Sequence, residues 1–287
     1  MTWTEITRAQ HDRSGLRYAS DVTDEEWAIV GPFLERSTSV GRPAKHTRRK
    51  IWNAVQYMAA SGCQWRLLPK DFPPYSTVQH YFYRWRDQGL IVAINEALTV
   101  VNRLIAGRNE MASAGIIDSQ SVKTTESGGP RGYDAGKKIN GRKRFIVTDT
   151  LGLLLVVVVL SASVQDRDGA KSVLLDTYLR TPVRFVFADG GFAGRLLDWA
   201  TQILRTTVHI VRKPADQRGF AVIPRRWAVE RTFAWLSAHR RLARDYERDP
   251  AMSEAMIRWA AINTITRRIA RRGPAIRQQR RTFSAVG

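Results

Sequence analysis

Cysteine is almost absent from this chain: Cys63 is the single example in 287 residues. That excludes an internal disulfide, and the histidines are too scattered for a zinc site built on Cys/His spacing. Long apolar runs are missing too. The longest, Leu151 to Leu160, is about half of the ~20 residues a membrane helix needs. The first twenty residues are polar and lack the apolar core and small-residue cleavage site of a signal peptide. The expectation is a soluble intracellular protein with no membrane partner. Acidic residues are scarce relative to basic ones, 26 against 46, which leaves a formal charge of +20. With 44% hydrophobic and 25% charged residues, the composition is globular and excludes a wholly disordered chain.

A charge of this size is a statement about partners. Nucleic acid is favoured, because phosphate neutralisation supplies most non-specific affinity; an anionic membrane surface or an acidic protein could use the same charge. The excess is uneven. Residues 218–287 hold 16 basic residues, all arginine, against 5 acidic ones, which is more than half of the total excess.

The N-terminal third reads as helical. Thr23-Asp24-Glu25-Glu26 is a capping box, and Trp27, Val30, Phe33 and Leu34 follow at helical spacing. A basic loop, Gly41 to Lys50, carries Arg42, Lys45, Arg48, Arg49 and Lys50. A second helix is expected over about Thr47 to Ala60, then a proline-rich connector from Leu68 to Tyr75. Ser76-Thr77-Val78-Gln79 reads as another capping box opening an aromatic helix, and a helix over Ile91 to Ala106 closes this part. Two helices with a short connector and basic residues at one start fit a helix-turn-helix-like DNA binder; packing on the remainder or dimer formation would fit the same pattern.

The middle changes character. Ala114 to Asp118 is a short strand ending in a carboxylate. Residues 127–144 read as a loop with Lys137, Lys138, Arg142, Lys143 and Arg144. Phe145 to Thr148 and Leu153 to Leu160 flank a turn as a hairpin, and the unbroken apolar second arm suggests burial on both faces. A helix over 168–180, a strand from Val183 to Asp189, a helix over 194–205 and a strand from Val208 to Val211 complete an α/β order. No internal repeat is visible.

Three carboxylates could carry chemistry. Asp118 and Asp189 each end a strand, where ligands bind in α/β sheets, although aspartate is also common in turns. Glu230, in the helical run Arg225 to Leu236, has Trp227, Phe233 and Ala234 at helical neighbour positions. On so apolar a face it must be ion-paired, metal-bound or protonated. Two strand-end aspartates and a helical glutamate are the donor set for a pair of Mg²⁺ ions, with Mn²⁺ as a substitute. Two such ions serve in-line phosphoryl transfer. Asp166 and Asp168 precede a helix and read as caps. Trp65, Trp85 and Trp199 read as core, while Trp227 could pack or stack on an exposed base.

Asp118 in IIDSQSVK, Asp189 in FADGGF and Glu230 in RRWAVERTFAWL resemble the acidic triad of DDE transposases of bacterial insertion sequences, IS-five-like branch. So do the stretches Tyr18 to Leu34, Gly62 to Trp85, Gly136 to Leu155 and Val164 to Ala170, in the same order. The resemblance implies an RNase H-like mixed-sheet catalytic core over 113–272, an all-α helix-turn-helix-like DNA-binding domain over 1–112 and a basic tail over 273–287. It implies that Asp118, Asp189 and Glu230 are catalytic and hold the metal. Arg226 fits the family's arginine four residues before the glutamate. Ile223 stands where the family carries tyrosine and Ser237 where it carries a basic residue, with Arg240 and Arg241 one turn on. The implied activity is cleavage at the element ends and strand transfer into target DNA, by a homodimer or higher assembly on DNA in the cytoplasm, at the nucleoid. A nuclease of the same fold without joining activity, or a catalytically silent DNA-binding regulator, would share these features.

Overall fold

The computed structural model describes residues 11–35, 44–126, 128–211 and 224–271. Among them, six strands form one sheet: β1 (Ala114–Lys123), β2 (Gly132–Asp134), β3 (Ile139–Asp149), β4 (Leu154–Ser161), β5 (Phe185–Ala188) and β6 (Thr207–Ile210). The first strand lies at the centre. It runs antiparallel to β3 along nearly its whole length, from Gly115 beside Asp149 to Lys123 beside Gly141. On its other edge it meets β5 in parallel over Ala114 to Ile116 only. β4 covers the far edge of β3 and β6 extends the sheet beyond β5. The expected hairpin is present, and its turn is fastened: the Asp149 carboxylate accepts the backbone N–H groups of Leu151 and Leu153 at 2.9 and 2.8 Å and pairs with the Arg103 guanidinium.

Alternation along each strand divides the apolar residues between two cores. Ile116, Ile146, Val157 and Phe187 enter one core; Ile117, Phe145, Val147, Val156 and Ala188 enter the other. α5 (Asp166–Arg180) and α6 (Arg195–Leu204) cover the second face, while α7 (Pro224–Ser237) and α8 (Pro250–Ala270) cover the first. The unbroken apolar run of β4 is therefore buried on both sides, as its lack of alternation predicts. A central first strand, an antiparallel meander on one side and parallel strands on the other fit an RNase H-like core.

Among the described residues, four further α-helices precede the sheet: α1 (Asp24–Val30), α2 (Arg48–Ser61), α3 (Tyr75–Asp87) and α4 (Leu90–Ile105). The Thr23 capping box forms, with Thr23 and Glu26 exchanging backbone-to-side-chain bonds of 3.2 Å each. The second box does not. α3 starts at Tyr75 with Pro74 as its cap residue and no side-chain cap bond, because proline's fixed φ already starts the turn and leaves Ser76 inside it. These helices pack against α8: the Trp259 ring lies 4.1 Å from Trp52, 5.5 Å from Phe82 and 5.9 Å from Trp85 between centroids. They thus share one core with the α7/α8 face of the sheet. No described helix is long and apolar enough to cross a membrane.

Two expectations about the middle are corrected. β1 does not end at Asp118 but continues to Lys123. Residues 127–144 are not one loop, since β2 and the first half of β3 lie in them. Glycine and lysine suggested a loop, yet pairing of β3 with β1 draws Gly141 to Arg144 into the sheet.

Candidate active site

Register brings the two aspartates together. Ile116 stands beside Phe187 in the parallel pair, so two residues further on Asp118 has Asp189 as its neighbour. By alternation both share the face of Ile116 and Phe187, the face that α7 covers. It is β5 that ends here, and its end opens the edge of β1 at Asp118. Burial pushes the Asp118 carboxyl up to about 6, and the Asp189 charge adds to this; the Ser119 N–H, at 2.7 Å, and the charges of Arg226 and Lys137 oppose it. Asp189 caps a 3₁₀ turn over Gly190–Phe192, accepting the Gly191 N–H at 2.8 Å.

Glu230 comes from α7. Ala228, Val229, Phe233 and Leu236 form the buried stripe of that helix, and Glu230 lies at the stripe's edge. Its side chain is 41% exposed, so the expectation of a buried glutamate is corrected. Trp227 is likewise open to solvent, at 42%. One nitrogen of Arg226 lies 3.4 Å from Glu230 and 3.6 Å from Asp189. The hairpin tip holds α7 in place: Thr232 Oγ1 donates to the Gly152 carbonyl at 2.7 Å and Arg231 donates to the Leu151 carbonyl at 3.0 Å.

Among the described residues, no three acidic, histidine or cysteine side chains converge closely enough to hold an ion. The donor chemistry nevertheless fits a hard divalent cation. The set is three carboxylates, of which Asp118 is pushed up partly by its neighbour's charge, and a guanidinium stands between the other two.

The basic residues expected to meet DNA divide sharply. Lys45, Lys50, Lys137, Lys138 and Arg240 are exposed, and Arg226 faces the triad. Arg142, Lys143, Arg144 and Arg241 are buried, and their expected exposure to phosphate is corrected. Arg142 pairs with Asp245 at 3.3 Å and donates to the Glu247 carbonyl at 2.8 Å. Arg144 donates to the Leu242 and Arg244 carbonyls, and Arg241 pairs with Glu247 at 2.8 Å. Arg48 lies over the Tyr81 ring, while Arg49 pairs with Asp24 and donates to the Val22 carbonyl, so both tie α2 to its neighbours. Arg42 and Ile223 lie outside the described residues.

Behind Asp118 lies a polar network that the sequence reading missed. Lys143 reaches Asp166 at 3.2 Å and Asp134 at 3.5 Å; Ser119 donates to Asp166 at 2.7 Å and Ser121 to Asp134 at 2.6 Å. Burial raises the Asp134 carboxyl, but Ser121, the Lys137 N–H and Lys143 outweigh it and hold the group near 2. Asp166 is not a cap, since Gln165 occupies the cap position of α5 without a side-chain bond. Its place directly after Val164-Gln165, between a strand and a helix, was the available signal.

A mixed sheet of this order, with one carboxylate within β1, a second just past the end of β5 and a third on a facing helix, fits an RNase H-like core bearing a carboxylate site. The chain belongs to the family described as "Transposase DDE domain", which matches residues 110–264 and so spans Asp118, Asp189 and Glu230. Residues 22–95 match "Putative transposase of IS4/5 family". A relative from Sinorhizobium fredii, "Uncharacterized protein y4sN", is 32% identical over 92 residues, which is 32% of this chain and 66% of the relative. No solved structure matches.

Proposed function

We propose that this protein is a DDE transposase that cuts DNA at the ends of an insertion sequence and joins the freed 3′-OH to target DNA, using Asp118, Asp189 and Glu230. The observation that carries the reading is the register of β1 and β5, which sets two carboxylates side by side facing Arg226 and Glu230 on α7. These three carboxylates would hold Mg²⁺, with Mn²⁺ as a substitute. A pair of such ions supplies charge stabilisation to the attacking and leaving oxygens of an in-line displacement at phosphorus. The chain's own residues do the rest. Arg226, Lys137, Lys138 and Arg240 neutralise phosphates around the triad, and the open indole of Trp227 offers a stacking face beside the scissile position. Lys45 and Lys50 extend the track on to the N-terminal helices, which contribute sequence recognition. The boundary near residue 112 is then one of role, and a homodimer on DNA would bring two element ends together.

The test is a cleavage and strand-transfer assay with a duplex carrying the element's own terminal repeat. Asp118→Asn, Asp189→Asn and Glu230→Gln each remove a ligand charge while keeping shape, and each is expected to abolish Mg²⁺-dependent cleavage without unfolding the protein. Substantial cleavage by any one folded variant would remove that residue from the triad. Cleavage without joining of a 3′-OH donor end would reduce the activity to that of a nuclease.

A further inference from the structure

The arginine between the carboxylates has a role beyond phosphate contact. One Arg226 nitrogen stands within ion-pair distance of both Asp189 Oδ2 and Glu230 Oε1, and its charge also reaches Asp118. It is the one cation that touches two members of the triad among the described residues. Its partners are 31% and 41% exposed, so neither needs an ion pair to offset burial; the arrangement serves their mutual repulsion. Among the described residues, no three ligands converge on a single point. A guanidinium and a divalent ion that use the same two oxygens cannot both have them.

We propose that Arg226 is the triad's resident counter-cation, which holds Asp189 and Glu230 in place of the metal and must be displaced before Glu230 can join the aspartates around a divalent ion. This rests on the reading of the triad as a metal site. The physical consequence is antagonism. While Arg226 spans the pair, part of the carboxylates' charge is already compensated, and the ion must break two ion pairs to bind. Removing the guanidinium leaves the two carboxylates uncompensated and raises affinity for the ion. Lys137 provides the internal comparison. It also lowers the Asp118 carboxyl through its charge, but its ammonium donates to the Ser119 carbonyl at 3.4 Å and does not bridge Asp189 to Glu230.

Binding of Mn²⁺ to the full-length, DNA-free protein, followed by loss of the paramagnetic resonance signal of the free ion, tests the proposal without reference to activity. Arg226→Gln is expected to tighten Mn²⁺ binding by about tenfold or more, within the usual range of coupling between sites. Arg226→Met, a second neutral variant, is expected to do the same, and circular dichroism checks that both remain folded. Lys137→Gln is expected to tighten binding far less. Adding Asp189→Asn to Arg226→Gln is expected to cancel the gain, which would locate it at the triad. Unchanged or weaker binding in both Arg226 variants overturns the proposal, as does an equal gain in Lys137→Gln, which would make the effect one of general charge. Saturable binding that is indifferent to Arg226 would sink this inference and leave the metal site standing. No saturable binding in any form, with or without duplex DNA, would sink both.

Discussion

Arg142 and Lys137 belong to one basic stretch and meet opposite surroundings. Lys137 is exposed, whereas Arg142 is fully buried among Asp245, Ser253 and the carbonyls of Pro130, Glu247 and Arg248. A cation so enclosed stabilises the fold only through its partners, and removing it strands the Asp245 charge. Arg142→Met is expected to cost about 3–5 kcal/mol in denaturant unfolding while leaving the DNA affinity of the folded fraction nearly unchanged. A large affinity loss without a stability loss would restore Arg142 to the DNA surface. A second residue-scale expectation concerns pH. Burial lowers the His239 pKa below its ordinary 6.5, aided by the Arg267 charge and opposed by backbone acceptors. The unfolded ring therefore takes up a proton where the folded ring stays neutral. Its contribution is complete above pH 6.5 and is lost as pH falls through the window below that value. His239→Gln is expected to flatten the stability profile below pH 6.5, measured by urea midpoints; an unaltered slope would assign the acid sensitivity to other groups.

At the scale of elements, the β3–β4 hairpin fastens the helix that carries Glu230. Gly152 takes φ +80°, and a Cβ added there would lie 2.9 Å from Thr232 Oγ1 and 3.0 Å from the Ala228 carbonyl. Both the left-handed backbone and the close approach demand glycine. Gly152→Ala is expected to cost about 1–3 kcal/mol and to shift α7 away from the sheet, so that cleavage falls by more than the loss of folded protein explains. Normal cleavage by the folded variant would show that the tip does not position Glu230. The hairpin itself was legible in the sequence, because two β-branched runs flank a turn. Its contact with a helix some eighty residues later was not, since no local pattern records which surface a turn will meet. The same holds for Ser76, whose motif has the spacing of a cap; the prolines before it decided where the helix begins.

For the whole molecule, the clustered rings of Trp52, Trp85 and Trp259, the last two stacked, join helices from both ends of the chain, so the N-terminal helices and the sheet's α7/α8 face form one core. The cationic surface left after burial is smaller than the total charge suggests. If Lys45, Lys50, Lys137, Lys138, Arg226 and Arg240 each reach a phosphate, binding to duplex DNA is expected to weaken with salt at a log–log slope of about −5. A gel-shift series across salt concentrations measures this, and a nearly flat plot would remove these residues from a common track.

The sequence by itself determined the order of helices and strands apart from β2 and the first half of β3, together with the three carboxylates and the family they resemble. Those properties are local: periodicity, turn residues and short motifs are set by neighbours within a few positions. The tertiary structure alone decided that Asp118 faces Asp189, through a parallel register between strands seventy residues apart. It also decided that Glu230 stands open at the edge of α7, and that Arg142, Lys143 and Arg144 are structural while Lys137 and Lys138 are exposed. A lysine or arginine carries the same charge in any sequence context. Whether that charge meets a buried aspartate, two triad carboxylates or solvent depends on which distant segment the fold packs against it.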